Sequence, residues 1–214
     1  MKISADDIEN ILFDLGGVLL DIDYSVTEKA FQYLGLENFN EVYSQHRQEG
    51  LFDDFEKGLI KKDDFILRVK DYFKNEIPSR EAIEQAWNAM LIDFPVYRLE
   101  MLTMLRKHYN LYVVSNTNEI HFEAFNRIFK KNFNKDFTDF FKSVYYSHEL
   151  GMRKPEPRIF QHIIAESMLD PEKTLYIDDS NQHIKAAKKL KFKTLPLKNG
   201  QEVVVLLHDL MILA

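Results

Sequence analysis

The chain of 214 residues contains no cysteine, which excludes disulfides and any thiolate metal or redox centre. It also lacks an excess of positive charge. A net charge of −6 argues against a broad nucleic-acid footprint, and no nucleic-acid partner is expected. The basic run from Lys185 to Lys193 reads as the solvated face and end of a helix. Long apolar runs are missing too. The tail from Val203 to Leu213 is too short to span a bilayer and contains His208 and Asp209, so it reads as a docking helix. Met1 to Asp7 has neither the basic nor the apolar region of a signal peptide, and a cytoplasmic protein without a membrane partner is the expectation. Glycine is sparse, and Gly16-Gly17 lacks the third glycine of the dinucleotide-binding fingerprint. His46, His108, His121, His148 and His162 show no metal-ligand spacing and read as surface or hydrogen-bonded residues.

What the chain does have is a carboxylate at the end of an apolar run: Ile11-Leu12-Phe13-Asp14-Leu15-Gly16-Gly17-Val18-Leu19. Ile11–Phe13 reads as a short buried strand that delivers Asp14 to a crevice, with two glycines that let the chain turn sharply. A second run ends in an acid pair, Thr174-Leu175-Tyr176-Ile177-Asp178-Asp179. Two acidic strand ends in one domain point to a hard-cation site, since oxygen ligands suit Mg²⁺.

Leu111–Val114, Val144–Tyr146 and Leu175–Ile177 join Ile11–Phe13 as strands, with Phe192–Leu195 a weaker fifth. Helical spacing runs through Pro95–Arg106, Glu119–Phe129, Glu156–Ala165 and Ser180–Leu190. Strand alternating with helix predicts an α/β fold, a mostly parallel sheet covered on both faces. Residues 24–94 break the rhythm. They offer no convincing strand and instead four helical patterns: Val26–Leu34, opened by a Ser25-Val26-Thr27-Glu28 capping box, Phe39–His46, Asp63–Phe73 and Arg80–Ile92. A helical module of roughly 70 residues, about half a small domain, is thus inserted after the first strand. Trp87 reads as part of its core, and the phenylalanines from 122 to 141 as core of the main body. His46 and Arg47 could reach a substrate from the module, although a solvated helix face explains them as well.

Asp14, Ser115-Asn116-Thr117-Asn118, Gly151-Met152-Arg153-Lys154-Pro155 and Asp178-Asp179 follow one another in this order with helices between. Singly each has an ordinary reading as a turn, a helix cap or a solvated lysine. Together they resemble the haloacid dehalogenase superfamily, most of whose members are Mg²⁺-dependent phosphatases. Within it the chain is similar to the branch holding the bacterial α-D-glucose-1-phosphate phosphatase and the phosphatase domain of soluble epoxide hydrolase. Phe55-Glu56-Lys57-Gly58-Leu59-Ile60 followed by Phe65 also resembles that branch. The resemblance implies a Rossmann-like core over residues 1–22 and 95–214, with residues 23–94 as an inserted α-helical cap.

It also implies roles. Asp14 would be the nucleophile, forming an aspartyl-phosphate that splits the hydrolysis of a phosphomonoester into two easier steps. Mg²⁺ would be held by Asp14, the Gly16 carbonyl and Asp179, with Asp178 beside it as an outer ligand or as a partner for Lys154. Ser115 and the Asn116 backbone would bind phosphoryl oxygens, and Lys154 would stabilise the transition state. Two positions depart from the family. Most of its phosphatases carry a proton-transferring aspartate where this chain has Gly16, a group worth about 10²–10⁴-fold. Asp21, Asp23 or His183 could substitute, or the substrate could have a good leaving group. His183 itself stands where many relatives have Asp or Asn, which touches the hydrogen bonding behind the metal. The expected activity is hydrolysis of a small phosphorylated metabolite, a sugar phosphate first. The alternative, kept open by Gly16, is a protein that binds or senses a phosphorylated ligand with little turnover. A response-regulator receiver is disfavoured because its acid pair precedes its phosphorylated aspartate.

Overall fold

Side-chain alternation along the strands decides which helices the sheet carries. In the structure, a computed structural model, residues 4–39, 43, 50–74, 76–198 and 200–213 are described. Strands β1 (Asn10–Phe13), β4 (Asn110–Ser115), β5 (Ser143–Tyr146), β6 (Thr174–Asp178) and β7 (Lys193–Pro196) form one sheet in the order β5-β4-β1-β6-β7. Every pairing in it is parallel. Ile11, Phe13, Val113, Leu175 and Ile177 point into one buried cluster, whereas Leu12, Tyr112, Val114 and Tyr176 point into another. Both faces are therefore covered, as a parallel sheet requires. All five expected strands form, the weakest displaced by one residue.

Helices α5 (Val96–Leu105), α6 (Glu119–Phe133), α7 (Ser147–Leu150), α8 (Pro157–Glu166), α9 (Asn181–Lys189) and α10 (Val203–Asp209) follow or connect these strands. Pro157 opens α8 at the first helical position, where its missing N–H is no loss. The apolar tail docks as expected, with Val203, Leu207, Ile212 and Leu213 buried in the main core. Among the described residues no helix is long and apolar enough to cross a membrane.

Residues 24–94 depart from the expectation at both ends. Helix α1 spans Tyr24–Tyr33, and its N-cap is Asp23, whose carboxylate accepts from Ser25 N at 2.9 Å. The capping box starting at Ser25 does not form, because Asp23 already serves the first free amide. Helices α2 (Leu51–Glu56), α3 (Lys62–Lys70) and α4 (Arg80–Asn88) follow. The helix expected to reach Ile92 stops at α4, and Leu91–Asp93 is instead strand β3, antiparallel to β2 (Asp21–Ile22). Two and three residues are too few to show a strand period, which is why the ribbon escaped the sequence. Most of the helix expected over Phe39–His46, together with His46 and Arg47, lies outside the described residues.

These helices enclose an aromatic cluster around Trp87, with Phe31, Phe39, Phe52, Phe55 and Phe65. Phe55 and Phe65 stack with ring centroids 4.0 Å apart. Ile120 of α6 completes the cluster and seats it on the sheet-bearing part. His121 is a second link. Its ring stacks on Trp87 at 4.9 Å, one ring nitrogen lies 3.0 Å from the Trp87 carbonyl, and the other lies 3.1 Å from Asn118 Nδ2. Gly58 is pressed so closely onto α7 that a β-carbon there would lie 2.0 Å from the His148 carbonyl oxygen.

Burial drives the His121 pKa down to about 4. A depressed histidine pKa means that the unfolded chain takes up the proton first. Stability is therefore intact above the unfolded value near 6.5 and falls as the pH drops toward 4, by up to about 3 kcal/mol. His121→Gln, which can still donate to the Trp87 carbonyl, should be less stable at pH 7.5 but flatter between pH 7 and 5. Urea unfolding at several pH values checks this, and parallel slopes for the two proteins would contradict it.

Candidate active site

The strand order reverses direction at β1, since the chain builds β4 and β5 on one side of it and then β6 and β7 on the other. Ligands of open parallel sheets bind beyond the carboxyl ends of strands at such a point. Asp14 sits there, tied to the next strand by Asp14 N donating to the Ile177 carbonyl at 2.8 Å. Ser115 ends β4 and Asp178 ends β6, so three distant stretches of sequence meet at one edge. A cavity of about 710 Å³ opens over them, lined by Asp14, Gly16, Ser115, Asn116, Lys154 and Asp179 from the sheet side. Asp178 is fully buried behind it.

Lys154 is 0 % exposed, and its Nζ lies 2.8 Å from both Asp14 Oδ1 and Asp178 Oδ2. Burial opposes its charge, but the two carboxylates outweigh that and hold its pKa above the ordinary value. The acids differ in what else they meet. Asp178 accepts from Ser180 N at 2.7 Å and from the Tyr176 hydroxyl, and lies 3.1 Å from His183 Nδ1. Against burial, Lys154 and His183 hold its pKa below the usual carboxylate range. Asp14 has fewer donors. Burial and the neighbouring Asp178 push its pKa well up, and Lys154 only partly offsets them. Both oxygens of Asp178 are thus taken by protein groups. Of the two roles expected for it, partner of Lys154 or outer ligand, the structure shows the first.

The Asn116 side chain grips the backbone of Lys154, accepting from its N–H at 2.8 Å and donating to its carbonyl at 2.9 Å. Asn116 therefore fixes the lysine with its side chain. Ser147 braces the same loop, its hydroxyl bonded to both the N–H and the carbonyl of Thr117 at 2.9 Å. Ser115 is buried at the cavity wall, with its hydroxyl 3.5 Å from the Asn116 carbonyl. Asn118 caps α6, accepting from His121 N at 3.0 Å.

Asp179 is half-buried, and burial with the adjacent Asp178 pushes its pKa up to about 6. Its carboxylate lies against Gly17, where φ is +74° and a β-carbon would stand 2.5 Å from Asp179 Oδ2. Three carboxylates share one ammonium here, and two of them have raised pKa values. Excess negative charge on hard oxygen donors at a cavity wall fits a divalent cation. Gly17→Ala would strain the backbone and displace Asp179. A stability loss of about 1–3 kcal/mol is expected, together with a clearly weaker response to divalent metal. Thermal melts with and without the ion check it, and an unchanged metal response would contradict it.

The same cavity is also lined by residues to which sequence reasoning assigned no role. Tyr24, Tyr43, Glu56 and Arg153 line it. Arg153 reaches Glu56 at 2.9 Å and Asp53 at 3.0 Å, while Lys57 bridges Asp53 at 2.7 Å and Glu156 at 2.8 Å. This lattice ties α2 to the loop that carries Lys154. Burial, then Glu56, Asp179 and Asp14, hold the Tyr24 hydroxyl neutral by raising its pKa. Glu56 and Arg153 stood inside recognised strings, but only the fold brings them to the cavity. Asp21 and Asp23 do not line this cavity but an adjoining one, which shares Tyr24 and Asp179 with it. Asp21 pairs with Arg98 at 2.8 Å, and Asp23 caps α1.

Strand order, acid-lysine cluster and inserted helices define a class of hydrolase, and the sequence places the chain in it: residues 8–191 match the haloacid dehalogenase-like hydrolase family, to which the protein belongs. A D-ribitol-5-phosphate phosphatase of Bacteroides thetaiotaomicron is 34% identical over 207 residues, covering 94% of this chain and all of that one. The crystal structure of an aspartate-to-alanine variant of a HAD family enzyme from Bacteroides thetaiotaomicron, in complex with magnesium and inorganic phosphate, superposes with a TM-score of 0.86. It is 35% identical, covering 93% of this chain and 98% of the other. A HAD-like family hydrolase from Porphyromonas gingivalis gives the same TM-score at 29% identity, covering 95% and 98% of the two chains.

Proposed function

We propose that the protein is a Mg²⁺-dependent phosphatase that hydrolyses a phosphomonoester of a small sugar or sugar alcohol through an aspartyl-phosphate on Asp14. The observation that carries this reading is the Asp14 carboxylate at the cavity wall, with Lys154 Nζ 2.8 Å from Oδ1. Leu15 N also donates to Oδ1, at 2.6 Å, so the lone pairs of Oδ2 remain for phosphorus. Attack by Oδ2 forms the Asp14–phosphorus bond as the ester bond to the alcohol breaks. The departing alkoxide takes a proton from water, since Gly16 has none to give. Ser115 Oγ and the Asn116 N–H are the donors for phosphoryl oxygens, and Lys154 offsets the charge that builds there. Mg²⁺ held by Asp14, the Gly16 carbonyl and Asp179 supplies further neutralisation when bound.

Residues 1–22 and 95–214 then form the catalytic core, and residues 23–94 a cap that closes the cavity and selects the substrate. The separate aromatic cluster around Trp87 and the polar wall of Tyr24, Glu56 and Arg153 support this division. The cavity suits a small polar metabolite, and a relative named for ribitol 5-phosphate supports a polyol chain. That ester sits on a primary carbon, a poorer leaving group than an anomeric phosphate.

Phosphate release should be followed with Mg²⁺ across alditol phosphates, hexose 1- and 6-phosphates, nucleotides and an aryl phosphate, with Asp14→Asn as control. Turnover of sugar or alditol phosphates that vanishes with EDTA and in the variant is expected. A large preference for anomeric esters would mean that Gly16 restricts the enzyme to good leaving groups. Binding of phosphorylated ligands without Asp14-dependent release from any ester would favour the binding protein instead.

A further inference from the structure

A guanidinium at a cavity wall offers a two-pronged grip for a carboxylate or phosphate of the ligand. Arg153 lines the cavity, yet its grip is filled from within the protein: Asp53 lies 3.0 Å from Nη1 and Glu56 2.9 Å from Nη2. Among the described residues Glu56, Arg153, Asp53, Lys57, Glu156 and Arg158 pair in a chain whose signs alternate from one member to the next. Every charge in this chain meets its opposite, so no net charge is left over for a ligand. Only Glu56 and Arg153 of these residues line the cavity. Glu56 is 5% exposed and, among the described residues, pairs with no cation but Arg153. The pair stands near enough to the catalytic cluster for Lys154 to act on Glu56, and for Arg153 to act on Tyr24 and His183. The other cations at the cavity offer no second grip. Lys154 is shared by Asp14 and Asp178, and Lys185 and Lys198 are exposed, where water and salt screen them.

We infer that Glu56 determines specificity: by occupying Arg153 it makes the cavity accept an uncharged, hydroxyl-bearing leaving group and reject esters that carry a second anionic group, a carboxylate or another phosphate. This rests on the phosphatase reading and narrows it. Rejection has two parts. The Glu56 carboxylate repels a second anion, and the guanidinium that would have held that anion is already taken. A repulsive element of this kind separates substrates that attractive contacts alone would not. An uncharged polyol meets neither obstacle. The Tyr24 hydroxyl, which burial and the surrounding acids keep neutral, can both donate to and accept from its hydroxyls.

The test compares initial rates with Mg²⁺ on an alditol 5-phosphate, a phosphoglycerate and a sugar bisphosphate. Wild type, Glu56→Gln and Asp53→Asn are used, each variant removing one acid from Arg153 while keeping its shape. Wild type should favour the alditol ester in kcat/KM by at least about 10-fold. In Glu56→Gln that preference should shrink by about 10-fold, the effect of one unit charge in a partly buried site. The change should come chiefly from a lower KM for the anionic esters, and added salt should weaken it. Asp53→Asn should shift the preference in the same direction by less, because Asp53 does not line the cavity. A wild type that hydrolyses anionic esters as readily as the alditol ester would overturn the inference. So would a folded Glu56→Gln whose preference is unchanged or whose rates on all the esters fall equally. If Glu56→Gln does not fold, Asp53→Asn decides, and an unchanged preference there overturns it. Wild-type protein with no Asp14-dependent release from any ester would overturn the phosphatase reading and this one with it, whereas Asp14-dependent turnover with an unmoved preference would overturn this one alone.

Discussion

Replacing Lys154 with Met should destabilise the protein by about 3–5 kcal/mol and abolish its activity together. The ammonium is fully buried and stands 2.8 Å from two carboxylates that have no other cation at that distance among the described residues. Without it the buried carboxylates of Asp14 and Asp178 face each other unneutralised, with Asp179 close by. Asp178 keeps its bonds from Tyr176, Ser180 and His183, so the strain falls mainly on Asp14, whose pKa already lies well above the usual range. A carboxylate with a raised folded pKa contributes stability below its unfolded pKa and loses it as the pH rises through the folded value. The variant should therefore recover part of its stability in mild acid. Denaturant unfolding at pH 7.5 and pH 5 gives the comparison. A loss under about 1 kcal/mol, the range of an exposed pair, would mean that the lysine is not buried as described.

Asp14→Asn should behave in the opposite way. Turnover should fall by at least about 10⁴-fold, as expected when a nucleophile is removed. Stability in EDTA should hold or rise, because the substitution removes a charge that burial, Asp178 and Asp179 all disfavour. The amide also leaves Lys154 its partner Asp178. Functional sites commonly hold groups whose charge lowers stability, and relief on substitution marks them. Parallel measurement of kcat and Tm tests both halves. Lost activity with a clearly lower Tm would assign Asp14 a structural part instead.

Legibility in the sequence followed the length of the pattern. The five sheet strands, the helices of the main body and the Trp87 core carry periodic apolar positions long enough to read, and they form where expected. Asp14, Ser115, Asn116, Lys154, Asp178 and Asp179 were legible because they occupy strand ends or short strings in a fixed order. The ribbon of Asp21–Ile22 with Leu91–Asp93 was not, since its pairing joins residues about 70 apart through strands too short to show a period. Nor was the Asn116 side chain's grip on the Lys154 backbone, a contact between loops that only the sheet brings together. The polar wall of Tyr24, Glu56 and Arg153 was hidden for the same reason. Tyr24 stood outside the helix expected over Val26–Leu34, yet it opens α1 beside the antiparallel ribbon and lines the cavity. His183 stood out in the sequence only as a departure from the family; its buried, unpartnered Nε2 needed the fold.

The most direct test of the central claim is to trap the intermediate. The protein is mixed with Mg²⁺ and an aryl phosphate, quenched in acid within the first turnover, and digested to locate the phosphoryl group. The account predicts an acid-stable acyl phosphate on the peptide containing Asp14, absent from Asp14→Asn and discharged in native protein as inorganic phosphate appears. Phosphate release with the label on another residue, or undiminished turnover in Asp14→Asn, would contradict it.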